Sequence, residues 1–188
     1  FYAIGVDMRK PYRVYGGLQD NGSWGGPSAT RSFDGITFAD WVRVLGADGF
    51  HCQVDPNDPD TVYAEWQYGR FRRLNVHTGD TADIQPKDPD AELRAQWMAP
   101  FLISPHDSTI VYAGFQFLFK STNRGDSWVK LGGDLTANDP AQMLPRNSSA
   151  IPYQTIVALA ESPKKKGLMY VGADDGTVHS TIDGGKEW

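Results

Sequence analysis

Four positions repeat a side chain suited to bonding a hydroxyl-rich ligand. Gln19, Gln67, Gln116 and Asp174 each stand four residues after a tyrosine, namely Tyr15, Tyr63, Tyr112 and Tyr170. Asp20, Asn21 and Trp24 accompany the first, Trp66 and Tyr68 the second, Phe115 and Phe117 the third, and Asp175 the fourth. Amides and carboxylates address hydroxyls, and flat rings address the apolar face of a sugar, so the set suits a glycan or a polypeptide ligand. Asp20 is the candidate catalytic carboxylate. Glycosidic hydrolysis needs two carboxyls about 5 to 9.5 Å apart, one of them protonated. The expectation is that this chain holds no complete pair, Asp174 being the partner to test. Plainer roles stand beside these. A repeated Gln can bond neighbouring backbone, Asn21-Gly22 makes an ordinary tight turn, and Asp174-Asp175-Gly176 reads as a hairpin turn.

The tyrosines belong to a longer frame. A small polar residue precedes each by eight positions: Asp7, Asp55, Ser104 and Ser162, three of them followed directly by proline. The tyrosines lie 48, 49 and 58 residues apart. A period near 50 with strand-like content is the spacing of β-propeller blades. The fold class expected is all-β, a propeller of four-stranded antiparallel blades, with about four blades present at 1–46, 47–95, 96–150 and 151–188. First strands are expected at 50–54, 101–103 and 156–159, third strands at 71–76 and 118–121, and a fourth at 128–131. The chain starts at Phe1 without an initiator methionine and stops at Trp188 inside a motif. It therefore reads as a piece of a larger propeller, with its last blade unfinished and the rest of that propeller as a partner. In a propeller, the turns between second and third strands share a face with the links from fourth to first strands. The frame thus predicts one working face. The long connection 132–153 is expected on that face, partly over the channel mouth.

Between third and fourth strands stands the sharpest motif. Ser121, Asn123, Gly125 and Trp128 fit S/T-x-D/N-x-G-x-x-W, and Thr181, Asp183, Gly185 and Trp188 fit it again. Its chemistry is structural: the Asp or Asn accepts backbone N–H groups, the glycine takes positive φ, and the Trp packs beneath. Looser forms are Ser32-Phe33-Asp34-Gly35 with Trp41, and Thr78-Gly79-Asp80. The pattern resembles the Asp-box, or BNR, repeat. Gly17 to Ser28, Gly133-Asp-Leu-Thr136, Ala160-Glu-Ser-Pro163 and Asp174-Asp-Gly176 resemble the sortilin/Vps10-like and bacterial "BNR glycosyl hydrolase" group. That resemblance implies a secreted or envelope location. The sialidase branch would carry an Arg-Ile-Pro motif, which this sequence lacks. The xyloglucanase branch would need opposed aspartates from two propeller halves. Three functions follow: a recognition propeller, a glycoside hydrolase with its catalytic set incomplete here, or a scaffold in a larger assembly.

The remaining signals narrow the class. The net charge is -5, and the longest basic run, Lys164 to Lys166, precedes a glycine in an expected turn, so nucleic acid is not the expected partner. No apolar stretch reaches the roughly 20 residues of a membrane span. The single cysteine, Cys52, reads as a buried structural thiol, and neither it nor His51, His106 or His179 belongs to a metal-ligand pattern. No metal or cofactor is expected. Asp55 to Asp60 reads as a turn between strands rather than a calcium loop, and Arg124-Gly125-Asp126 falls inside the Asp-box turn. Asn21 and Asn147 begin glycosylation sequons, relevant to a eukaryotic source.

Overall fold

A computed structural model describes residues 1–144 and 149–188. Pro145 and the Asn147 sequon fall outside the described residues. The fold is all-β, with four small antiparallel sheets of propeller-blade type. They fall in two compact units, Phe1–Ile84 and Gln85–Trp188, each holding two sheets.

In the first unit, one sheet runs β1 (Ile4–Val6), β2 (Arg13–Leu18), β3 (Gly22–Pro27), β4 (Val42–Leu45) in chain order. The next runs β5 (Cys52–Asp55), β6 (Asp58–Trp66), β7 (Arg70–Asn75), β8 (Thr81–Asp83). Tyr15, Val44 and Leu45 of the first sheet pack with Cys52, Val54, Val62, Ala64 and Leu74 of the second. Small residues permit this approach. A methyl group on Gly17 would lie 2.2 Å from the Gly49 carbonyl carbon, and one on Gly5 only 2.1 Å from the Cys52 oxygen. Burial pushes the Cys52 thiol up to about 11, consistent with a packing role.

The second unit repeats the scheme. One sheet holds β9 (Phe101–Ile103), β10 (Val111–Gly114), β11 (Leu118–Ser121) and β12 (Val129–Leu131). The other holds β13 (Ile156–Glu161), β14 (Met169–Ala173) and β15 (Val178–Thr181). Ile110, Tyr112 and Leu118 pack with Ile156, Met169 and Val171, and Leu135 joins them from the connection between the sheets. Strands β9 and β11 form at their expected limits, while β5 begins two residues later than the apolar run at Phe50 suggested. The buried Phe50 lies ahead of the strand.

The small polar residue of the frame has one job in all four blades. Asp7 Oδ1 accepts from the amide of Arg9 (3.2 Å), Asp55 Oδ1 from Asn57 (2.9 Å), Ser104 Oγ from His106 (3.3 Å) and Ser162 Oγ from Lys164 (3.2 Å). Each closes the turn from first to second strand, satisfying an amide that the ladder leaves unpaired. The 55–61 segment spends its oxygens the same way. Asp58 accepts from the Asp60 amide and the Thr61 hydroxyl, and Asp60 pairs with Arg9. Among the described residues no group of three or more His, Cys, Asp or Glu side chains could hold a metal ion.

The turns from third to fourth strand are tied by side chains. Ser121 Oγ accepts from the amide of Gly125 (2.8 Å) and donates to Asn123 Oδ1 (2.8 Å), which accepts from the Ser127 amide (2.9 Å). Thr181 Oγ1 accepts from Gly185 (3.1 Å) and donates to Asp183 Oδ1 (2.7 Å), which accepts from Lys186 (3.0 Å) and Glu187 (3.2 Å). Gly125 and Gly185 have φ of 93° and 90°, a backbone state that favours glycine. Trp188 tucks against the second unit's core and donates from its indole to the Leu131 oxygen (3.3 Å). In the second blade Thr78 Oγ1 donates to Asp80 Oδ2 (2.7 Å) and accepts from the Asp80 amide (3.2 Å), as Ser121 does with Asn123, and Asn75 Oδ1 adds bonds from the amides of His77 and Thr78 (2.9 Å each). Asn75 ends β7, so the strand pattern concealed it.

Candidate functional site

In the first unit three segments meet at Asp48. The turn from β2 to β3 carries Gln19, Asp20 and Asn21; the turn from β6 to β7 carries Gln67 and Tyr68; the link from β4 to β5 carries Asp48. Asp48 is 5% exposed. Its Oδ1 accepts from the Asp20 amide (2.5 Å) and its Oδ2 from Gln67 Nε2 (2.6 Å). A carboxylate with two donors in a buried place holds both turns by charge-assisted bonds. Three non-glycine residues in the left-handed region surround it: Asp20 (φ 62°), Ala47 (φ 60°) and Tyr68 (φ 66°). Each such residue costs about 1 kcal/mol and persists where surrounding contacts enforce it.

The result is an exposed polar rim with rings beside it. Asp20 and Asn21 are exposed, and the Asp20 carboxylate accepts no hydrogen bond among the described residues. Asn21 Nδ2 donates to the Gln19 oxygen (3.0 Å), and the Trp24 indole donates to the Asn21 oxygen (2.7 Å). Gln19 receives the Tyr2 hydroxyl (2.8 Å). Trp24 also meets Phe38, their ring centres 5.5 Å apart. Trp66 leans on the first unit's core, and the Arg72 guanidinium lies 4.8 Å from its ring centre.

In the second unit the equivalent positions are consumed by structure. Gln116 is buried; its Oε1 accepts from the Arg94 amide and its Nε2 donates to the Glu92 oxygen, both at 2.8 Å. Asp174 Oδ1 accepts from the Thr155 amide (2.9 Å), and Oδ2 accepts from the Thr155 hydroxyl and Gln96 Nε2 (3.0 Å each). Burial works against the charge on Asp175. Even so, the amides of Ala137 and Thr177 and the Thr177 hydroxyl hold its carboxyl below the usual range. The described part of the 132–153 connection runs along these turns, Leu135 donating to the Gln116 oxygen (2.9 Å) and Ala137 to Asp175 Oδ2 (2.7 Å). Arg94 braces it, donating to Asp134 Oδ2 (2.9 Å) and to the Gln154 oxygen (3.3 Å), while Gln154 Nε2 donates to the Asp139 oxygen (2.9 Å).

One rule covers all four blades. The residue four places after the frame tyrosine bonds the segment that enters its own blade: Gln19 to Tyr2, Gln67 to Asp48, Gln116 to Glu92 and Arg94, Asp174 to Thr155. Asp48, Arg94 and Gln154 escaped sequence reasoning because none belongs to the repeat. The glycines flanking Asp48, at 46 and 49, were the available hint.

No family model matches the chain, and no curated protein matches it in sequence. Solved structures do. The GH74 xyloglucanase from Xanthomonas campestris superposes with a TM-score of 0.61 at 16% identity, over 94% of this chain and 26% of that one. An ancestral GH74 enzyme gives 0.61 at 14% identity, over 94% and 22%. The GH74 enzyme of Niastella koreensis gives 0.58 at 15% identity, over 99% and 29%. The likeness is one of fold. This chain spans about a quarter of the length of those enzymes. No helix among the described residues is long and apolar enough to cross a membrane.

Proposed function

We propose that this chain is part of a carbohydrate-recognising β-propeller, binding a glycan at the Asp20–Tyr68 rim of its first unit. The observation that carries this is the convergence of three left-handed non-glycine residues on the buried Asp48, which leaves Asp20 and Asn21 exposed. Backbone strain concentrated at one polar rim marks a place shaped for something other than stability. Gln19, Asp20, Asn21, Trp24, Trp66, Gln67 and Tyr68 are its proposed lining. Gln116, Asp174 and Asp175 belong to the corresponding turns of the second unit, and we read their main role as holding the connections. The turns at Ser121–Trp128 and Thr181–Trp188 are proposed as Asp boxes of the sortilin-like group, with an extracytoplasmic location and further blades of the same propeller as partners.

A second reading is glycoside hydrolysis. It is favoured by an exposed Asp20 carboxylate on a fold shared with GH74 enzymes. Asp174, with both oxygens occupied, is a poor acid–base partner. A glycan array probed with the wild type and with Asp20→Asn separates the two. Recognition predicts binding that weakens about tenfold in the variant, as a charged hydrogen-bond acceptor is lost. Hydrolysis predicts turnover in the wild type, with binding kept and turnover lost in the variant. Absence of glycan binding by the wild type rejects the proposal.

A further inference from the structure

The strand β7 reads Arg70-Phe-Arg-Arg-Leu-Asn75. Strand alternation puts Arg72 on the same face as Leu74, and its cross-strand partner Ala64 shares that face. Leu74, Ala64 and Val62 are the core between the two sheets of the first unit. A guanidinium therefore stands on a face whose neighbours are apolar. It is half-buried, and its Nε is shielded from solvent with no acceptor.

Two other half-buried arginines have carboxylate partners. Arg9 pairs with Asp7 and Asp60, and Arg94 pairs with Asp134 and bonds Thr136 and Gln154. Arg72 has no ion pair among the described residues, although Asp83 is its cross-strand neighbour on β8. What holds it is Trp66, whose ring lies beneath the guanidinium at 4.8 Å. Stacking fixes the plane of the fork and leaves its edge donors unused. A partly desolvated charge without a counter-ion is costly, and a carboxylate fits the fork in bidentate fashion.

We infer that the Trp66–Arg72 pair is a carboxylate-recognition point, and that its ligand is a glycan bearing uronic-acid residues. The inference rests on the glycan reading above and names the substrate class. Trp66 adjoins Gln67, which Asp48 ties to the Asp20 turn. A uronic-acid ring offers one carboxylate to Arg72 and hydroxyls to the rim. The chain's charge of -5 and the exposed Asp20 disfavour densely anionic ligands such as phosphate polymers. A uronate carries one charge per sugar.

The test is calorimetric titration of the chain with trigalacturonate and with its carboxyl-reduced trigalactoside. Arg72→Met and Arg72→Lys are compared with wild type, and thermal midpoints are recorded alongside. The wild type should prefer the acid by about 10- to 100-fold, the range for charge-assisted bidentate bonding. Arg72→Met should abolish the preference while keeping trigalactoside affinity, and Arg72→Lys should keep a reduced preference. Equal wild-type affinities, or an acid preference unchanged in a folded Arg72→Met or Arg72→Lys, would overturn the inference and leave glycan recognition standing. Loss of thermal stability in both variants with an unchanged ratio makes Arg72 a structural cap and overturns it too. Binding of triglutamate but neither sugar would reject both the inference and the glycan reading.

Discussion

Replacing Asp48 with alanine tests whether one buried carboxylate organises the first unit's rim. The substitution removes two bonds, from the Asp20 amide (2.5 Å) and from Gln67 Nε2 (2.6 Å). A hydrogen bond to a charged group contributes about 1.5 to 3 kcal/mol. Asp20 is exposed, so water can replace Asp48 there, and the lower value, about 1.5 kcal/mol, applies to each of the two bonds. The expected loss is ~3 kcal/mol for the local structure, or about 100-fold in the opening equilibrium of the turn. Asp48→Asn behaves differently. Its Oδ1 still accepts from Asp20, and Gln67 can turn its amide to accept from the new Nδ2. Both bonds become neutral, and the loss falls to about 1 kcal/mol. Hydrogen exchange at the Asp20 amide reads the turn directly, and urea titration followed by tryptophan fluorescence reads the unit. The reasoning fails if Asp48→Ala leaves Asp20 exchange unchanged, or if Asn and Ala cost the same.

Two further outcomes can be measured on the same protein. Cys52, buried at 3% exposure with its thiol pushed up to about 11 by burial, should react with a disulfide reagent at pH 8 only as fast as the unit opens; rapid reaction in native buffer would contradict that packing. The Asp183 carboxyl is held below its ordinary value of 3.8 by the Thr181 hydroxyl first and the Glu187 and Lys186 amides next. Its stabilisation is thus complete above that ordinary value and fades as pH falls below it through the lowered one. Exchange at the Gly185 and Lys186 amides, corrected for intrinsic rates, should rise in that acid window, and Asp183→Asn should flatten the profile; an identical profile in the variant would show that another group controls the turn.

The blade pattern was open to reading because its signals are local. Asp7, Asp55, Ser104 and Ser162 bond amides two residues on, and Ser121 and Thr181 bond amides four residues on. Such contacts leave a spacing in the sequence. Leu118–Ser121 and Phe101–Ile103 accordingly form at their expected limits. The candidate site is another matter. Asp48 matters because two turns, 28 and 19 residues away along the chain, close on it. Arg94 reaches Asp134 and Gln154 across 40 and 60 residues. Arg72 looks like any strand arginine until its face is known. Gln19, Gln67, Gln116 and Asp174 do occupy equivalent places, yet equivalent position did not mean equivalent exposure. Gln19 is exposed, and Gln116 is sealed by the segment entering its blade.

The bond each blade makes to its own entering segment has a consequence for how the chain organises as it emerges from the ribosome. The loops so closed span 17 residues at Gln19, 19 at Gln67, 22 and 24 at Gln116, and 19 at Asp174. Closure entropy grows only with the logarithm of loop length, so the four steps cost nearly the same. Each blade can be fastened once its second strand has been made, with no wait for the blade that follows. The 132–153 connection, though much the longest, leaves its blade's step unlengthened, because Thr155 is fastened from the far side of that insertion. Variation in length between blades is thereby uncoupled from the order in which they assemble.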